Sequence, residues 1–302
     1  MEAVVPTLIE SEAARREPAP AGPTFALALG GGGARGLSHI HVIETLDELG
    51  IRPKMIAGSS IGAIMGAGMA AGMPGHDIRE FARLVLGRRA EVVSRLWRAR
   101  PQSFSEMMQG GVRLGQFNLE RILRSFLPSE IPETFEQLQI PLKVTGTDFF
   151  AHDLAVLDTG DLPSALAASS ALPAIFRPVQ REGKLLIDGG FYDPVPFDLL
   201  QNQADIVIAV DVVGYPSQQA TKHPDSVDLL FGASQIMMQS IIALNLTRCQ
   251  PQILIRPPVS EFRVLDFMKM EQVMQVTQSI RDELKHAIEK AVEAHEKKIT
   301  GA

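Results

Sequence analysis

A single cysteine, Cys249, in 302 residues leaves no partner for an internal disulfide and no thiolate cluster for a metal. That usage fits a reducing compartment, and a cytoplasmic location is the expectation. Cations are also short: 29 Lys and Arg stand against 35 Asp and Glu, for a net charge of −6. A general nucleic-acid binder needs the opposite balance, so no nucleic-acid partner is expected. The opening residues lack a basic stretch followed by an apolar one, so no secretory signal is expected. Residues 1–23, broken by Pro6, Pro18, Pro20 and Pro23, read as a disordered tail.

Charge is missing altogether from residues 55–75. That length could cross a membrane, and Gly62 and Gly66 have the spacing of a helix-packing pair. Gly58, Ser59 and Ser60 would break such a span near its start, however, and the rest is Gly and Ala rather than Leu and Phe. The reading is a buried helix pressed closely against a sheet. With 45% hydrophobic and 21% charged residues, the chain suits a globular protein with one large core.

What is present is a repeated plan of strand, tight bend and helix. The apolar run 24–29 stops at four glycines, Gly30 to Gly33, before a helical pattern at 37–49. Ile40, Ile43, Leu46 and Leu49 mark its apolar face and Gly50 closes it. Residues 55–73 repeat the plan, with Gly58-Ser59-Ser60-Ile61-Gly62 at the bend. Further on, a helix is expected at 76–86, strands at 140–145 and 153–157, and a helix at 163–169. A strand at 184–187 runs into Asp188-Gly189-Gly190. A β-branched strand at 206–210, an apolar helix at 227–246 and a strand at 253–255 follow. Val273, Val276, Ile280, Leu284, Ala287 and Ala291 trace a last helical stripe. Strands alternating with helices predict a parallel sheet covered on both faces, without internal repeats.

Residues 88–113 depart from the acidic background, with six arginines against Glu91 and Glu106. Trp97, Phe104, Met107 and Met108 lie among them. A solvated helical face with core anchors and a flap that touches a membrane are equal readings of this segment.

Acyl transfer needs a nucleophile, a base beside it and donors for the developing oxyanion. Gly-x-Ser-x-Gly at a strand-to-helix bend makes Ser60 the candidate nucleophile. Gly31-Gly32-Gly33-Ala34-Arg35-Gly36 can supply backbone N–H groups at a helix N-terminus, which favours negative charge. The same stretch matches a dinucleotide loop, but the next strand lacks the acidic residue such a site wants. None of the seven histidines lies in a setting typical of a triad. Asp188 ends a strand before two glycines; alone, Asp-Gly-Gly reads as an ordinary turn. A Ser–Asp pair is chemically sound if the carboxylate is desolvated enough to take a proton.

Taken together these blocks resemble the patatin-like phospholipase family. Gly31 to Gly36 is similar to its oxyanion loop, with Gly31, Gly32, Gly33 and Ala34 as donors and Arg35 and Gly36 in support. Gly58-Ser59-Ser60-Ile61-Gly62 is similar to its nucleophile elbow, and Asp188-Gly189-Gly190 to its aspartate motif. Ala168 to Pro178 looks like its proline-containing block. Ser59 stands where the family often has Thr. The resemblance spans residues 24–200 and implies a three-layer α/β/α fold around a mainly parallel sheet, with 201–302 packing on the same domain. It also implies a Ser60–Asp188 dyad that hydrolyses lipid acyl esters without metal or cofactor. The alternative is a regulatory or binding protein on that scaffold. Peripheral membrane contact through residues 88–113 is a further expectation.

Overall fold

The computed structural model describes residues 22–87, 117–220 and 223–300. Most of the expected tail and the whole arginine-rich segment 88–113 lie outside the described residues.

Eight strands form one mixed sheet among the described residues. They are β1 (Phe25–Leu29), β2 (Met55–Ser59), β3 (Leu142–Asp148), β4 (Asp153–Leu157), β5 (Val179–Arg181), β6 (Lys184–Asp188), β7 (Ile206–Val210) and β8 (Ile253–Ile255). The order is β5-β6-β3-β2-β1-β7-β8, with β4 also on β3. The five strands from β3 to β8 in that order are parallel, as expected. β4 and β6 run antiparallel to β3, and β5 antiparallel to β6, so the sheet is mainly rather than wholly parallel. The β5–β6 pair is joined by Glu182-Gly183 with both residues at positive φ, a hairpin short enough to force the reversal.

Alternation along β1 divides the core. Phe25, Leu27 and Leu29 join Ile56, Ile208 and Val210 on one face, against Ile40, Ile43 and Leu46 of α1 (His39–Glu48). Ala26, Ala28, Ala57, Val207 and Ala209 make the other face, where small side chains admit Val195, Phe197 and Leu200. Each fully buried Leu or Ile contributes about 1.5–3 kcal/mol, so this face-by-face alternation fixes the strand register. The helices Leu162–Ser169, Met270–Val276 and Ile280–Thr300 cover the first face together with α1.

α2 (Ile61–Ala70) accounts for the uncharged stretch. It is ten residues long and almost wholly buried against the sheet, too short to cross a membrane. A Cβ on Gly62 would lie 2.1 Å from the Leu29 carbonyl oxygen, so this helix needs Gly there to come so near the sheet. α3 (Gly75–Gly87), α4 (Leu119–Phe126) and α5 (Leu162–Ser169) follow, then α6 (Ser226–Arg248), α7 (Met270–Val276) and α8 (Ile280–Thr300). The last stripe was expected as one helix; it divides at Thr277, whose backbone leaves helical geometry at φ −94° and ψ 6°. Layers of helix, sheet and helix make this an α/β fold of the expected kind.

Candidate active site

β3 brings the two candidate groups together. One of its sides is occupied by β4, which pairs with Val144 to Asp148. Its other side is shared: β2 pairs with Leu142 to Thr145, and β6 pairs with Gly146 to Asp148. β2 runs parallel to β3 and β6 antiparallel, so their C-terminal ends meet head-on. Ser59 is opposite Thr145 and Asp188 opposite the next residue, Gly146. Ser60 and Asp188 are thus placed side by side by ladder register.

Ser60 Oγ donates to Asp188 Oδ2 at 2.7 Å. Ser60 has φ 52°, a left-handed backbone that costs about 1–3 kcal/mol in a residue with a Cβ. The surroundings hold it there. Its N–H donates to Ser169 Oγ at 2.8 Å, and its carbonyl accepts from Ala63 N–H at 2.9 Å as α2 begins. Ser169 is a residue the motifs did not single out. It lies inside the quoted block from Ala168, but nothing in spacing alone assigns its hydroxyl to the bend.

Asp188 is buried at 4% exposure. Its second oxygen, Oδ1, accepts from Gly190 N–H at 2.8 Å, which turns the Asp-Gly-Gly segment into a cradle for its own carboxylate. Burial pushes its pKa up from 3.8 to about 6, against the hydrogen bonds from Ser60 and Gly190, which lower it. A carboxyl with that value is ionised at neutral pH yet basic enough to take a proton. Gly189 lies so close to β3 that a Cβ would come 2.3 Å from the Thr145 carbonyl oxygen.

All seven histidines are among the described residues, and none hydrogen-bonds Ser60 or Asp188 there. His39 is buried, with Nε2 2.8 Å from the Gly30 carbonyl oxygen, and burial lowers its pKa to about 4. It braces the start of the glycine loop as a neutral ring. His41 likewise meets the Met274 carbonyl at 2.8 Å. Asp193, the nearest rival carboxylate in the chain, is buried with no hydrogen-bond partner for either oxygen. Burial, then the neighbouring Asp198, pushes its pKa well up, and the Ser60 hydroxyl bonds to Asp188 instead.

The glycine loop requires a correction. Four donors were expected, from Gly31, Gly32, Gly33 and Ala34. Gly31 N–H instead donates to the Pro194 carbonyl at 2.9 Å, and Ala34 N–H to the Val264 carbonyl at 2.8 Å. Both acceptors come from segments more than 150 residues away in sequence, out of reach of motif reading. Gly32 and Gly33 keep N–H groups with no acceptor among the described residues. Gly33 has φ +59°, and Gly32 passes so close to the chain that a Cβ would meet the Val212 carbonyl oxygen at 2.4 Å. Arg35 braces the loop from beneath: its buried guanidinium donates to the Phe262 carbonyl at 2.8 Å and to the Val213 carbonyl. Burial lowers its pKa to about 10, opposed by Asp266, so the group stays cationic.

Gly32→Val tests the loop. Displacing it should lower ester turnover by about 10²–10³, the usual loss for one oxyanion donor. Retained labelling of Ser60 by a fluorophosphonate would show the nucleophile still in place. A variant with near-normal turnover would mean that these amides do not face the reacting carbonyl.

Above Ser60 opens a cavity of about 150 Å³ that the loop, Ser60 and Asp188 line at its base. Its walls are apolar, with Ile64, Leu119, Leu172 and Phe176 on one side and Phe231 and Met238 of α6 on the other. A polar floor under greasy walls suits a substrate with one reactive polar group on a hydrocarbon body.

A family model described as patatin-like phospholipase matches residues 27–200. An uncharacterised NTE family protein of Mycobacterium bovis is 37% identical over 193 residues, covering 64% of this chain and 50% of that protein. The chain therefore matches half the length of that relative. A protein named lysophospholipase NTE1, from Kluyveromyces lactis, is 29% identical over 89% of this chain and 20% of its own length. Among solved structures, the ExoU chain of the SpcU–ExoU complex of Pseudomonas aeruginosa aligns with a TM-score of 0.46 and 16% identity. That alignment covers 90% of this chain and 53% of that one.

Proposed function

The chain belongs to the patatin-like phospholipase family, and from that premise we propose that it hydrolyses carboxylic acyl esters of lipids with Ser60 as nucleophile and Asp188 as base. The observation that carries this reading is the 2.7 Å hydrogen bond from Ser60 Oγ to a buried carboxylate at the floor of an apolar cavity. Ser60 Oγ attacks the ester carbonyl carbon as its proton passes to Asp188 Oδ2. The oxyanion gathers between the amides of Gly32 and Gly33. Asp188 then returns the proton to the departing alcohol oxygen, leaving the acyl group on Ser60. A water adds to that ester, gives a proton to Asp188, and the fatty acid leaves as Ser60 recovers its hydrogen.

The yeast relative's printed name points to lysophospholipids as the first substrates to try, with diacyl phospholipids as comparison. Fatty acid released from lysophosphatidylcholine should be measured between pH 4 and 8. The base must be ionised, so turnover should rise through about pH 6, where Asp188 titrates. A rate independent of pH across that window, or no fatty acid from any acyl ester, would count against the reading.

A further inference from the structure

The long helix α6 is built inside out. From Leu229 to Thr247 it carries no Asp, Glu, Lys or Arg. Of its four buried residues, Ser234, Gln235, Gln239 and Ile242, three are polar: Gln235 donates to the Val213 carbonyl at 3.1 Å, and Gln239 to the buried carboxylate of Asp211 at 3.3 Å. Its outward face carries Leu229, Leu230, Ile236, Met237 and Leu244, each at least 51% exposed. Ordinary surface helices reverse this arrangement, turning charge outward and hydrocarbon inward. α6 is also long and apolar enough to cross a bilayer, with only 22% of its most apolar window buried. Its glutamines tie it along the end of β7, so it lies against the protein and cannot stand across a membrane.

We propose that this outward face of α6 is the surface by which the protein rests on a lipid bilayer, its apolar side chains sunk into the acyl boundary. The position of the cavity supports that occupant. Phe231 and Met238 of the same helix line the cavity, and Leu265 both lines it and stands 45% exposed at its rim. A helix laid in the interface plane brings that rim to the bilayer, and an acyl chain can move from membrane to cavity without crossing water. A second copy of the chain suits the face less well. Twenty-three residues make a stripe about 35 Å long and about 10 Å wide, roughly 350 Å² a side. A pair would bury about 700 Å², below the roughly 1,200 Å² of stable interfaces. A bilayer needs no matching shape, only an uncharged apolar strip.

The direction of substrate movement rests on the hydrolase reading; the docking itself does not. The test is a fourfold variant, Leu230→Gln, Ile236→Gln, Met237→Gln and Leu244→Gln, in the full chain, cosedimented with phosphatidylcholine vesicles containing a fifth of anionic lipid. Partitioning should fall at least about tenfold, while hydrolysis of a water-soluble butyrate ester stays within about twofold. Should the fourfold variant misfold, Met237→Cys in a Cys249→Ser background, labelled with a polarity-sensitive dye, gives a second readout. Its emission should shift blue on adding vesicles. Equal partitioning of variant and wild type, or no dye shift, overturns the proposal. A wild type that elutes as a dimer and a variant that elutes as a monomer would assign the face to a second copy and overturn it too. Vesicle binding lost in the variant, with no ester hydrolysed by either protein, would leave docking standing and remove the hydrolase reading.

Discussion

Ser60→Ala should lower ester turnover by about 10⁴-fold or more and abolish covalent labelling by a fluorophosphonate probe. The fold should survive, because Ser60 is held in place mainly by its backbone. Its N–H bond to Ser169 and its carbonyl bond to Ala63 are indifferent to the side chain. Alanine meets the same strain at φ 52° as serine does. Two other hydroxyls are the internal controls. Ser59 Oγ is buried without a partner, and Ser170 Oγ, also without one, belongs to a residue that lines the cavity. Ser59→Ala and Ser170→Ala should each keep the label. If peptide mapping put the adduct on either, the nucleophile would be misassigned.

Asp188→Asn should be nearly as inactive, with turnover down by at least about 10², yet it should not unfold the protein. Asparagine can still accept from Gly190 N–H and face Ser60 Oγ, but it cannot receive the serine proton. Its effect on stability runs opposite to its effect on activity. In the wild type the folded pKa of Asp188 is raised to about 6 from 3.8, so the folded state binds the proton more tightly than the unfolded one. Stability therefore declines as pH rises from about 4 to about 6, and the buried charge costs roughly 3 kcal/mol above that window. The amide carries no such cost. Thermal melting of the variant at pH 8 should match or exceed that of the wild type, with the difference closing toward pH 4. A melting temperature well below wild type at pH 8 would show Asp188 to be structural. A single histidine substitution as inactive as Ser60→Ala, in a folded protein, would restore a triad.

The local units were legible because each is dictated by neighbours in sequence. The apolar run before Gly30, the stripe through Ile40, Ile43 and Leu46, and the small residues after Ser60 give β1, α1 and α2 without outside help. The direction of β6 was not, since its pairing on β3 depends on partners about 40 residues away. The donors show the same boundary. Glycines announce a loop that can aim amides, but which amides stay free is decided by carbonyls of Pro194 and Val264. Ser169 was in view as sequence and invisible as a partner of Ser60. α6 was legible as an apolar helix, and apolar helices are ordinarily inside. That its glutamines turn inward follows from the carboxylate of Asp211 and the carbonyl of Val213 at the end of β7, which need donors from something packed above them.

The meeting of β2 and β6 along one side of β3 has a consequence for how such a protein can change over time. The spacing of Ser60 and Asp188 is a count of residues along a third strand, not a property of the chain between them. Shifting β6 by one residue would move Asp188 by about 3.3 Å and turn its side chain to the opposite face of the sheet. The ladder thus tolerates no half measures, while residues 149–183, which join β3 to β6, bear on the pair through where they end and through Ser169, which accepts from the Ser60 N–H. Insertions and deletions beyond Ser169, around Leu172 and Phe176, can reshape the cavity wall and leave the reacting pair untouched. Substrate range and chemical step are therefore separately heritable in this architecture, one drifting in loops while the other is held by pairing.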